Sequence, residues 1–538
     1  MFGPRTTHTY IFRAALCDSS RQINTDTCVQ YMVVGSTCAH AMTQVRQSVV
    51  KLLQTPLESE VEVCGWIRSV RISKNTLFVQ VHDGSNTSGI QLVQLRKPSC
   101  ATESDSASSG NAVSGPGTAL EVGASVVARG VVKASPTNSQ HREVHVNCIQ
   151  VLGASPSNIY PLQKKYMTPE YLREHLHLRY VAYFPLSTCD TIYCSFPINA
   201  STHCLHTHRL RTQRFCCITR IRSAVLLSLQ EFLHRSDFTQ VTVPVLTPLD
   251  CEGGGAVFEV TTKPDGFFSN QKTYLSVSGQ LYLEVAAAAF AKVFCLGPTF
   301  RAEHSNTTKH LAEFWMLELE MSFAKLQQVM EVCELVIKHV LGYVLRACAE
   351  ELHTLQHLQG VKLTSLVEHV LCKPFLSMTY CEAVDTLVHE VEAGRAVFQR
   401  RPVFGEDLSA EHERYLVEVY CKNTPVFVTR YPGHLKPFYM ARNSIDGTAE
   451  CFDLLFPWVG EVCGGSQREN IHERLLQQMQ HHRLHVPSYQ WYLQLRQFGS
   501  TPHAGWGLGF DRLLMFLTAT CNVRDVVLAP RAYDSLTM

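Results

Sequence analysis

The stretch from Phe300 to Glu318 carries side chains suited to binding phosphate groups and a purine ring. Arg301 follows an apolar run, and a second alternating run begins near Phe314, 13 residues further on, which predicts a β-hairpin around a polar loop. A guanidinium can hold a phosphate with two parallel hydrogen bonds. His310 in the loop could meet a second phosphate, and Phe314 could stack on a purine. A surface hairpin held by ion pairs is the alternative, and the Phe and Gly residues around Arg301 argue against it.

A second stretch, Gly505 to Met515, places three alternating glycines before an arginine and an apolar run. Glycine has no Cβ atom, so alternating glycines let a strand and a ligand approach each other closely. Arg512 then stands at the start of a predicted helix. Alone, this pattern is typical of an ordinary strand-to-helix turn, but beside the first stretch it becomes a specific signal.

Both stretches lie in a region whose mixed helical and extended patterns predict an α+β domain. Apolar residues share one helical face from Ile218 onward, and Phe238–Leu246 reads as extended. Two further stretches, Leu326–Leu355 and Asn470–His485, are predicted to be helical. Their apolar positions are better explained as core than as ligand contacts.

Residues 58–155 form a separate region, in which short strands and turns predict a small all-β barrel of the OB-fold type. The predicted strands are Val61–Arg71, Thr76–Gly84, Gly123–Val132 and Glu143–Leu152. The stretch between residues 98 and 117 is rich in Ser, Gly and Ala and is predicted to be a flexible loop. A barrel with a purely structural role is the alternative to a nucleic-acid-binding one.

Length and composition are those of a globular protein of two or three domains, with 538 residues, 45% of them hydrophobic and 18% charged. The net charge of +1 excludes a strongly basic surface overall, but a local basic patch could still face nucleic acid. The longest apolar stretch, Leu281–Leu296, contains Glu284 and Lys292, so it predicts a buried strand or helix rather than a membrane span. None of the 21 cysteines has Cys-x-x-Cys spacing, and we expect reduced, mostly buried thiols.

The first 55 residues have the composition of a mitochondrial transit peptide. The first 50 contain four arginines, frequent hydroxylated residues and only two acids, Asp18 and Asp26. This composition predicts import into the mitochondrial matrix. A disordered extension on a cytoplasmic protein is the alternative.

Residues 156–215 are predicted to link the barrel to a catalytic domain at 216–538, and they contain an unusual segment, Tyr180–Leu210. Its Cys and His residues match no strong zinc spacing, which disfavours a metal site there. The six candidate ligands are Cys189, Cys194, His203, Cys204, His206 and His208. We expect an added surface loop or a translated intron, whose removal the protein would tolerate.

The motifs, taken together, resemble those of class II aminoacyl-tRNA synthetases. Phe300–Glu318 resembles motif 2, Gly505–Met515 resembles motif 3, and Phe238–Pro244 after a long helix resembles motif 1. Within the aspartyl/asparaginyl subgroup, four segments resemble the asparaginyl members: Asp250–Gly255, Val277–Glu284, Gly460–Glu469 and Tyr489–Arg496. Val426–Val428, Tyr431-Pro and Leu435–Met440 resemble the mitochondrial form. The implied fold is a class II antiparallel-sheet catalytic domain preceded by an OB-fold barrel.

This resemblance implies an ATP-dependent ligase that forms an aminoacyl-adenylate and pyrophosphate and then transfers the amino acid to the 3′ end of tRNA. Matched positions imply two catalytic arginines, Arg301 on the α-phosphate and Arg512 on the terminal phosphates. The remaining residues implied for the ATP site are Glu303, His310, Phe314 and Glu461. Glu461 is also the carboxylate expected to bind Mg²⁺.

The amino-acid pocket implied by the resemblance contains Gln280, Leu283, Glu284 and Arg468, with Arg468 on a side-chain oxygen of the substrate. Aspartyl relatives carry Lys at the position of Leu283. Without that charge, a neutral amide fits better than a carboxylate, which favours asparagine and tRNA(Asn). Glu284 or Glu303 could accept the amide N–H, and the sequence leaves both open.

Three other functions stay open from the sequence. The chain could be an aspartyl enzyme, possibly one that charges both tRNAs, or a degenerate synthetase that acts as an RNA-binding or scaffold protein. It could also be an asparagine synthetase on the same catalytic core, which the anticodon-type barrel disfavours. The intact motif residues argue against degeneration, although Asp511 replaces the usual Glu of motif 3 and Lys309 replaces the usual loop Arg.

The barrel, by the same resemblance, would bind the anticodon of the tRNA. Phe78 and Gln80 alternate on one strand and are the candidates for stacking on and reading bases, with Arg68 and Arg71 near phosphates. The strand register is open, and Phe78 could instead be barrel core. Motif 1, which ends at Pro244, implies a homodimer, and no contact with a membrane is expected.

Overall fold

The structure is a computed structural model, which describes residues 48–95, 113–114, 119–136, 141–155, 212–251, 256–262, 267–269, 271–498 and 500–536. The segment Tyr180–Leu210, with its candidate zinc ligands, lies outside the described residues. The predicted N-terminal extension lies outside them up to residue 47.

Six strands build the barrel predicted for the N-terminal region. They are β1 (Glu60–Ser73), β2 (Thr76–His82), β3 (Ile90–Leu95), β4 (Val113–Ser114), β5 (Ser125–Ala134) and β6 (Arg142–Gly153). The sheet order is β3-β2-β1-β5-β6-β4, and a parallel pairing of β3 with β6 closes the barrel. The barrel begins earlier than predicted, because a short helix, α1 (Val49–Leu52), buries Val49 and Leu52 in its core.

The register of β2 decides which of its residues face outward. Leu77, Val79 and Val81 are buried in the barrel core. Side chains alternate along a strand, so Phe78 and Gln80 lie on the opposite, partly exposed face. The alternative that Phe78 is a core residue is therefore wrong.

The strands after the barrel are β7 (Thr239–Gln240), β8 (Leu246–Thr247), β9 (Tyr274–Leu275), β10 (Lys292–Phe300), β11 (Glu313–Ser322), β12 (Leu376–Thr379), β13 (Val426–Thr429), β14 (Cys451–Phe456), β15 (Gly460–Gln467), β16 (His503–Gly509), β17 (Arg531–Ala532) and β18 (Ser535–Leu536). Ten of them form one sheet in the order β12-β13-β14-β15-β16-β11-β10-β7, in which β17 also pairs with β11 and β18 pairs with β17. Neighbouring strands of this sheet are antiparallel, except for the parallel pairs β12–β13 and β10–β7. The predicted fold class, an OB-fold barrel followed by an α+β antiparallel-sheet domain, is confirmed.

Helices pack against this sheet and complete the core. They are α2 (Gln213–Arg235), α3 (Gln280–Phe290), α4 (Leu326–Ala347), α5 (Ala349–Gln359), α6 (Leu363–Cys372), α7 (Tyr380–Glu392), α8 (Ala410–Arg414), α9 (His472–His481), α10 (Gln490–Gln494) and α11 (Phe510–Leu517). A π-helical turn follows α8 at Tyr415–Tyr420, and 3₁₀ turns occur at Gly433–Leu435, Val486–Tyr489 and Val523–Asp525.

Helix α2 starts before the predicted apolar face, because the Thr212 side chain caps it by accepting a hydrogen bond from the Phe215 backbone N–H. The helix predicted over Leu326–Leu355 is two helices that meet at Cys348. The extended stretch Phe238–Leu246 contributes only β7 and the start of β8. Leu281–Leu296 divides into most of α3 and the first half of β10.

No disulfide joins cysteines among the described residues. Most of these cysteines are buried, but Cys148, Cys372, Cys381 and Cys521 are exposed. Within the same part of the chain, no helix combines the length and apolarity that a membrane crossing requires.

Candidate active site

Two adjoining cavities open on the catalytic sheet and share several wall residues. The first, about 110 Å³, lies beside Arg512 and the loop between β10 and β11. The second, about 280 Å³, lies beside Arg468. Arg301 and Glu461 line both. A molecule in one cavity would therefore meet a molecule in the other at these two side chains.

Motif 2 forms the predicted hairpin. Strands β10 and β11 pair from Lys292 opposite Met321 to Phe300 opposite Glu313. Just beyond the last pair, the Arg301 backbone N–H donates to the Ala312 carbonyl at 3.0 Å, so the arginine leaves the sheet at a fixed point. Its guanidinium carbon lies 5.6 Å from the centre of the Phe314 ring. The cation predicted for a phosphate and the ring predicted for a purine thus lie side by side.

Arg512 and Glu461 form the opposite wall of the first cavity. The Arg512 Nη1 donates to the Glu461 backbone carbonyl at 2.8 Å and lies 3.3 Å from its Oε2 atom. Burial raises the pKa of the Glu461 carboxyl, but Arg512, Lys436 and Arg301 together hold this pKa below its usual value. The carboxylate is consequently ionised and turned toward three cations.

His310 and Glu303 lie in the hairpin loop beside the first cavity. The His310 Nδ1 is within hydrogen-bond distance of the Ser305 and Thr307 hydroxyls, at 2.9 and 2.7 Å. Partial burial and the nearby Arg512 lower the pKa of the imidazole. A neutral imidazole can still donate one hydrogen bond to a phosphate oxygen.

The two departures from the family pattern have structural explanations. Asp511 faces α2 and β11: it is 2.5 Å from the Arg222 Nη1, and it accepts a 3.0 Å hydrogen bond from the Trp315 backbone N–H. The shorter side chain therefore ties the start of α11 to motif 2. Lys309 lines the first cavity at 3.8 Å from Glu413, and burial lowers the pKa of its ammonium group.

Arg468 and Glu320 form a buried pair in the wall of the second cavity. Arg468 Nη2 donates to a Glu320 oxygen at 2.9 Å, and Nη1 donates to the Ser466 hydroxyl at 2.7 Å. Gly505 permits this arrangement, because a Cβ atom there would lie 2.0 Å from Glu320 Oε2. The glycine of motif 3 thus makes room for an acid of β11.

Ser278, Gln280 and Glu318 line the second cavity from the other side. Glu318 accepts hydrogen bonds from the Ser278 hydroxyl and, at 2.8 Å, from the Gly279 backbone N–H. Sequence reasoning named neither Glu318 nor Glu320 individually. Their spacing from Phe314 was the available signal, since alternate residues of β11 share one face.

Neither candidate for the amide-reading acid is among the residues that line the second cavity. Glu303 lines the first cavity, not the second. Glu284 is 3% exposed and lies behind the second cavity, where Arg496, Tyr492 and His503 surround it. Leu283 does line that cavity, while packing against core residues of α3 and β10.

Asp453 is a second carboxylate that sequence reasoning missed. Its Oδ2 is 2.6 Å from the Lys436 Nζ, and both side chains line the second cavity with Glu461. A Cβ atom on Gly464 would lie 3.5 Å from Asp453 Oδ1 and 3.3 Å from Glu461 Oε1, so the two carboxylates converge on one place. Burial raises the pKa of Asp453, and the charge of Glu461 adds to this effect.

Paired carboxylate oxygens are the donor set that Mg²⁺ prefers, so these two residues fit the ion. No group of three or more His, Cys, Asp or Glu side chains suited to a metal occurs in the described ranges. A cation held by two carboxylates would complete its coordination with substrate phosphates and water.

The predicted anticodon residues of the barrel separate into two groups. Arg71 lies opposite Phe78 in the β1–β2 pair, and its guanidinium carbon is 4.8 Å from the centre of the Phe78 ring on the outer face. Gln80, on the same face, donates to the Ser88 carbonyl at 2.7 Å. Arg68 points instead toward the catalytic domain, donates to the Thr87 carbonyl and lies near Cys216. That position does not favour the phosphate contact predicted for Arg68.

Comparison with known proteins gives the same picture. The profile of the family described as tRNA synthetases class II (D, K and N) matches residues 203–533, and that of the OB-fold nucleic acid binding domain matches residues 61–152. The fold and the cleft are thus those of a class II tRNA synthetase.

Comparison with individual relatives identifies the family within this class. The asparagine–tRNA ligase of Desulfotalea psychrophila is 39% identical over 90% of this chain and 98% of its own length. That of Clostridium beijerinckii is 38% identical over 88% and 95%. The solved asparaginyl-tRNA synthetase of Pyrococcus horikoshii with asparaginyl-adenylate is 27% identical, covers 92% of this chain and all of its own, and has a TM-score of 0.74. The chain belongs to the asparagine–tRNA ligases.

Proposed function

We propose that the chain forms asparaginyl-adenylate in this cleft, with ATP in the cavity of Arg512 and asparagine in the cavity of Arg468, and then transfers asparagine to tRNA(Asn). One observation carries this assignment of the two cavities. Arg301 and Glu461 line both, so the α-phosphate and the amino-acid carboxylate would meet beside them. Reaction between two substrates requires such a shared boundary.

In the first step, a carboxylate oxygen of asparagine attacks the α-phosphorus of ATP, and pyrophosphate leaves. Arg301 stabilises the charge on the reacting phosphate, and Arg512 holds the terminal phosphates through the departure of pyrophosphate. Phe314 fixes the adenine by stacking. These groups are in place before the reaction, so they offset developing charge without reorganising.

In the second step, a hydroxyl of the terminal tRNA adenosine attacks the carbonyl carbon of the adenylate, and AMP leaves with the bonding electrons. The outer face of the barrel holds the anticodon on Phe78, Arg71 and Gln80. Aromatic and guanidinium surfaces suit unpaired bases.

Asp453 and Glu461 would hold a divalent cation, which supplies charge neutralisation at the ATP phosphates when bound. Lys436 lies 2.6 Å from Asp453 and keeps that carboxylate turned toward the same place. Arg512 does the same for Glu461.

Selection of asparagine follows from the charges around the second cavity. Glu320 already compensates Arg468, and Leu283 offers no cation, so a substrate carboxylate would lose its water without gaining an unpaired positive charge. The amide of asparagine can donate to an acidic oxygen of Glu320 or Glu318 and accept from Arg468. This pattern favours an amide over a carboxylate by attraction and repulsion together.

A homodimer through motif 1 is part of this proposal. Strand β7 ends the order of the catalytic sheet, and Pro244 beyond it is exposed. Three large apolar side chains are also exposed: Leu246, which follows β7 in the chain, Phe290, which precedes β10, and Phe323, which follows β11. A second copy of the chain would cover them.

The proposed compartment is the mitochondrial matrix, with the cytoplasm as the alternative. The basic, acid-poor composition of the first 50 residues supports it. Fluorescent-protein fusions with and without these residues would distinguish the two compartments.

ATP–pyrophosphate exchange, measured separately with asparagine and with aspartate, tests the proposed function. We expect exchange with asparagine and a rate near background with aspartate. Comparable exchange with both amino acids would favour the aspartyl or non-discriminating alternative. Absence of exchange with either, in folded protein, would favour a degenerate synthetase.

A further inference from the structure

A cluster of polar and charged side chains lies buried directly behind the second cavity. Its members are Glu284 of α3, Tyr492 of α10, Arg496 just beyond α10, and His503 at the start of β16. We call this the Glu284 cluster. None of its members lines either substrate cavity, so the mechanism above leaves all four without a role.

Glu284 is the centre of this cluster and accepts contacts from several directions. Arg496 Nη2 donates to it at 2.6 Å, and the Tyr492 hydroxyl lies 2.8 Å from its Oε2. The His503 Nε2 is 3.1 Å from the same oxygen. Although burial raises the pKa of Glu284, Arg496, His503 and Arg468 hold it well below its usual range, so the carboxylate stays ionised.

The same carboxylate fixes a residue that does line the amino-acid cavity. Gln280 Nε2 donates to Glu284 Oε1 at 3.1 Å. An ionised carboxylate only accepts hydrogen bonds, so it must face the NH₂ group of the Gln280 amide. This contact fixes the orientation of the Gln280 amide, with one N–H bound to Glu284 and the carbonyl oxygen turned away from that carboxylate.

Glu284 also adds negative charge behind Arg468. The Arg468 Nε lies 4.0 Å from Glu284 Oε1, while Glu320 holds the same guanidinium from the other side. Two acids therefore neighbour the Arg468 guanidinium. A carboxylate substrate that approached Arg468 would be repelled by more negative charge than Glu320 alone supplies.

We infer that Glu284 is a positioning residue for amino-acid selection, which turns Gln280 and balances Arg468 so that the cavity accepts a side-chain amide and rejects a carboxylate. Arg496, Tyr492 and His503 keep the buried charge of Glu284 in place. This inference rests on the proposed assignment of the second cavity to the amino acid.

Glu284→Gln tests the inference, because it removes the charge and keeps the shape. In pyrophosphate exchange, we expect the KM for asparagine to rise about tenfold, as for loss of a buried charged hydrogen bond, with little change in the KM for ATP. The ratio of aspartate to asparagine use should rise by about the same factor. A change confined to the amino acid would not come from general loss of structure.

Two further variants separate positioning from stability. Glu284→Gln combined with Arg496→Met removes both charges, so it should melt closer to the wild type than Arg496→Met alone and still use more aspartate. Glu351→Gln is the matched control: Glu351 is likewise 3% exposed and paired with an arginine, but this partner, Arg220, lines neither cavity, whereas Glu284 contacts Gln280 and Arg468 of the second cavity. It should lower the melting temperature and leave the ratio unchanged.

Glu320→Gln, assayed in parallel, tests the assignment of the cavity itself. If it leaves the KM for asparagine unchanged, the proposed amino-acid site is wrong, whatever Glu284 does. If it raises that KM while folded Glu284→Gln keeps the wild-type KM and ratio, the site stands and the inference about Glu284 is wrong. A ratio that rises equally in Glu351→Gln would also overturn the inference.

Discussion

Arg301 lies at the boundary between the two cavities of the cleft. Contacts within the protein fix its position without any bound substrate. The Ala312 carbonyl fixes its backbone, and Phe314 lies beside its guanidinium. Preorganisation of this kind explains how one cation can lower the barrier of a phosphoryl transfer. The hairpin was predictable because its loop and the adjoining ends of both strands lie within the 19 residues from Phe300 to Glu318.

Arg301→Ala should lower the rate of pyrophosphate exchange by about 10²–10³-fold or more, since a preorganised charge at a phosphoryl centre is lost. The melting temperature should change little, because Arg301 is partly exposed in the cleft. Exchange assays and thermal unfolding of the same preparation measure both effects. Near-normal exchange by the folded variant would refute the role assigned to Arg301.

Leu283→Lys should raise the ratio of aspartate to asparagine use and weaken asparagine activation. Leu283 lines the amino-acid cavity, and a lysine there would supply the cation that a substrate carboxylate lacks. The shift should be partial, because Glu318 and Glu320 line the same cavity and would compete for the new charge. Exchange with both amino acids measures it, and an unchanged ratio in the folded variant would exclude this position from selection.

The residues that sequence reasoning missed share a physical cause. Asp453 is part of a site only because Glu461 lies on the adjacent strand and Lys436 approaches from outside the sheet. Glu284 was assigned to the pocket by the family resemblance, but consecutive helical residues such as Leu283 and Glu284 point about 100° apart, and Glu284 faces α10 instead. Side-chain contacts between residues far apart in the sequence cannot be identified from the spacing of residues within one segment.

At the level of elements, the adjacent strands β15, β16 and β11 together form the floor of the cleft. Only the pairing of β11 with β10 was predictable, because a hairpin is a local pattern. The break at Cys348 was not, since both sides of it carry apolar residues at helical spacing. The tie from Arg222 of α2 to Asp511 of α11 joins residues 289 positions apart, beyond any local signal.

Strand β2 offers a test of tRNA binding at this scale. Phe78→Ala should raise the KM for tRNA in aminoacylation by about tenfold, the effect of losing one base-stacking surface, and leave pyrophosphate exchange unchanged. Leu152→Ala is a suitable control, because Leu152 is an exposed apolar residue on β6 of the same barrel. Equal effects of the two substitutions would argue against an anticodon site on β2.

At the scale of the whole molecule, the proposed dimer would cover Phe290 and Phe323, which are 60% and 77% exposed in the single chain. Phe290→Glu should shift the protein toward monomer in size-exclusion chromatography with light scattering, because a buried unpaired charge opposes association. Phe498→Glu, at a residue 77% exposed on another part of the catalytic domain, should not. A wild-type monomer at micromolar concentration would contradict the dimer proposal.

The barrel and the catalytic domain meet through α2, where Arg220 donates to the Ser85 carbonyl of the barrel at 2.9 Å and pairs with Glu351 of α5. One tRNA bound to both parts is the arrangement that a two-step ligase needs. The most direct measurement is aminoacylation of tRNA(Asn) and tRNA(Asp) transcripts with asparagine and with aspartate, followed by hydrolysis and identification of the attached amino acid. We expect asparagine on tRNA(Asn) and none of the other three products, and aspartate on either tRNA at a comparable rate would contradict the proposed function.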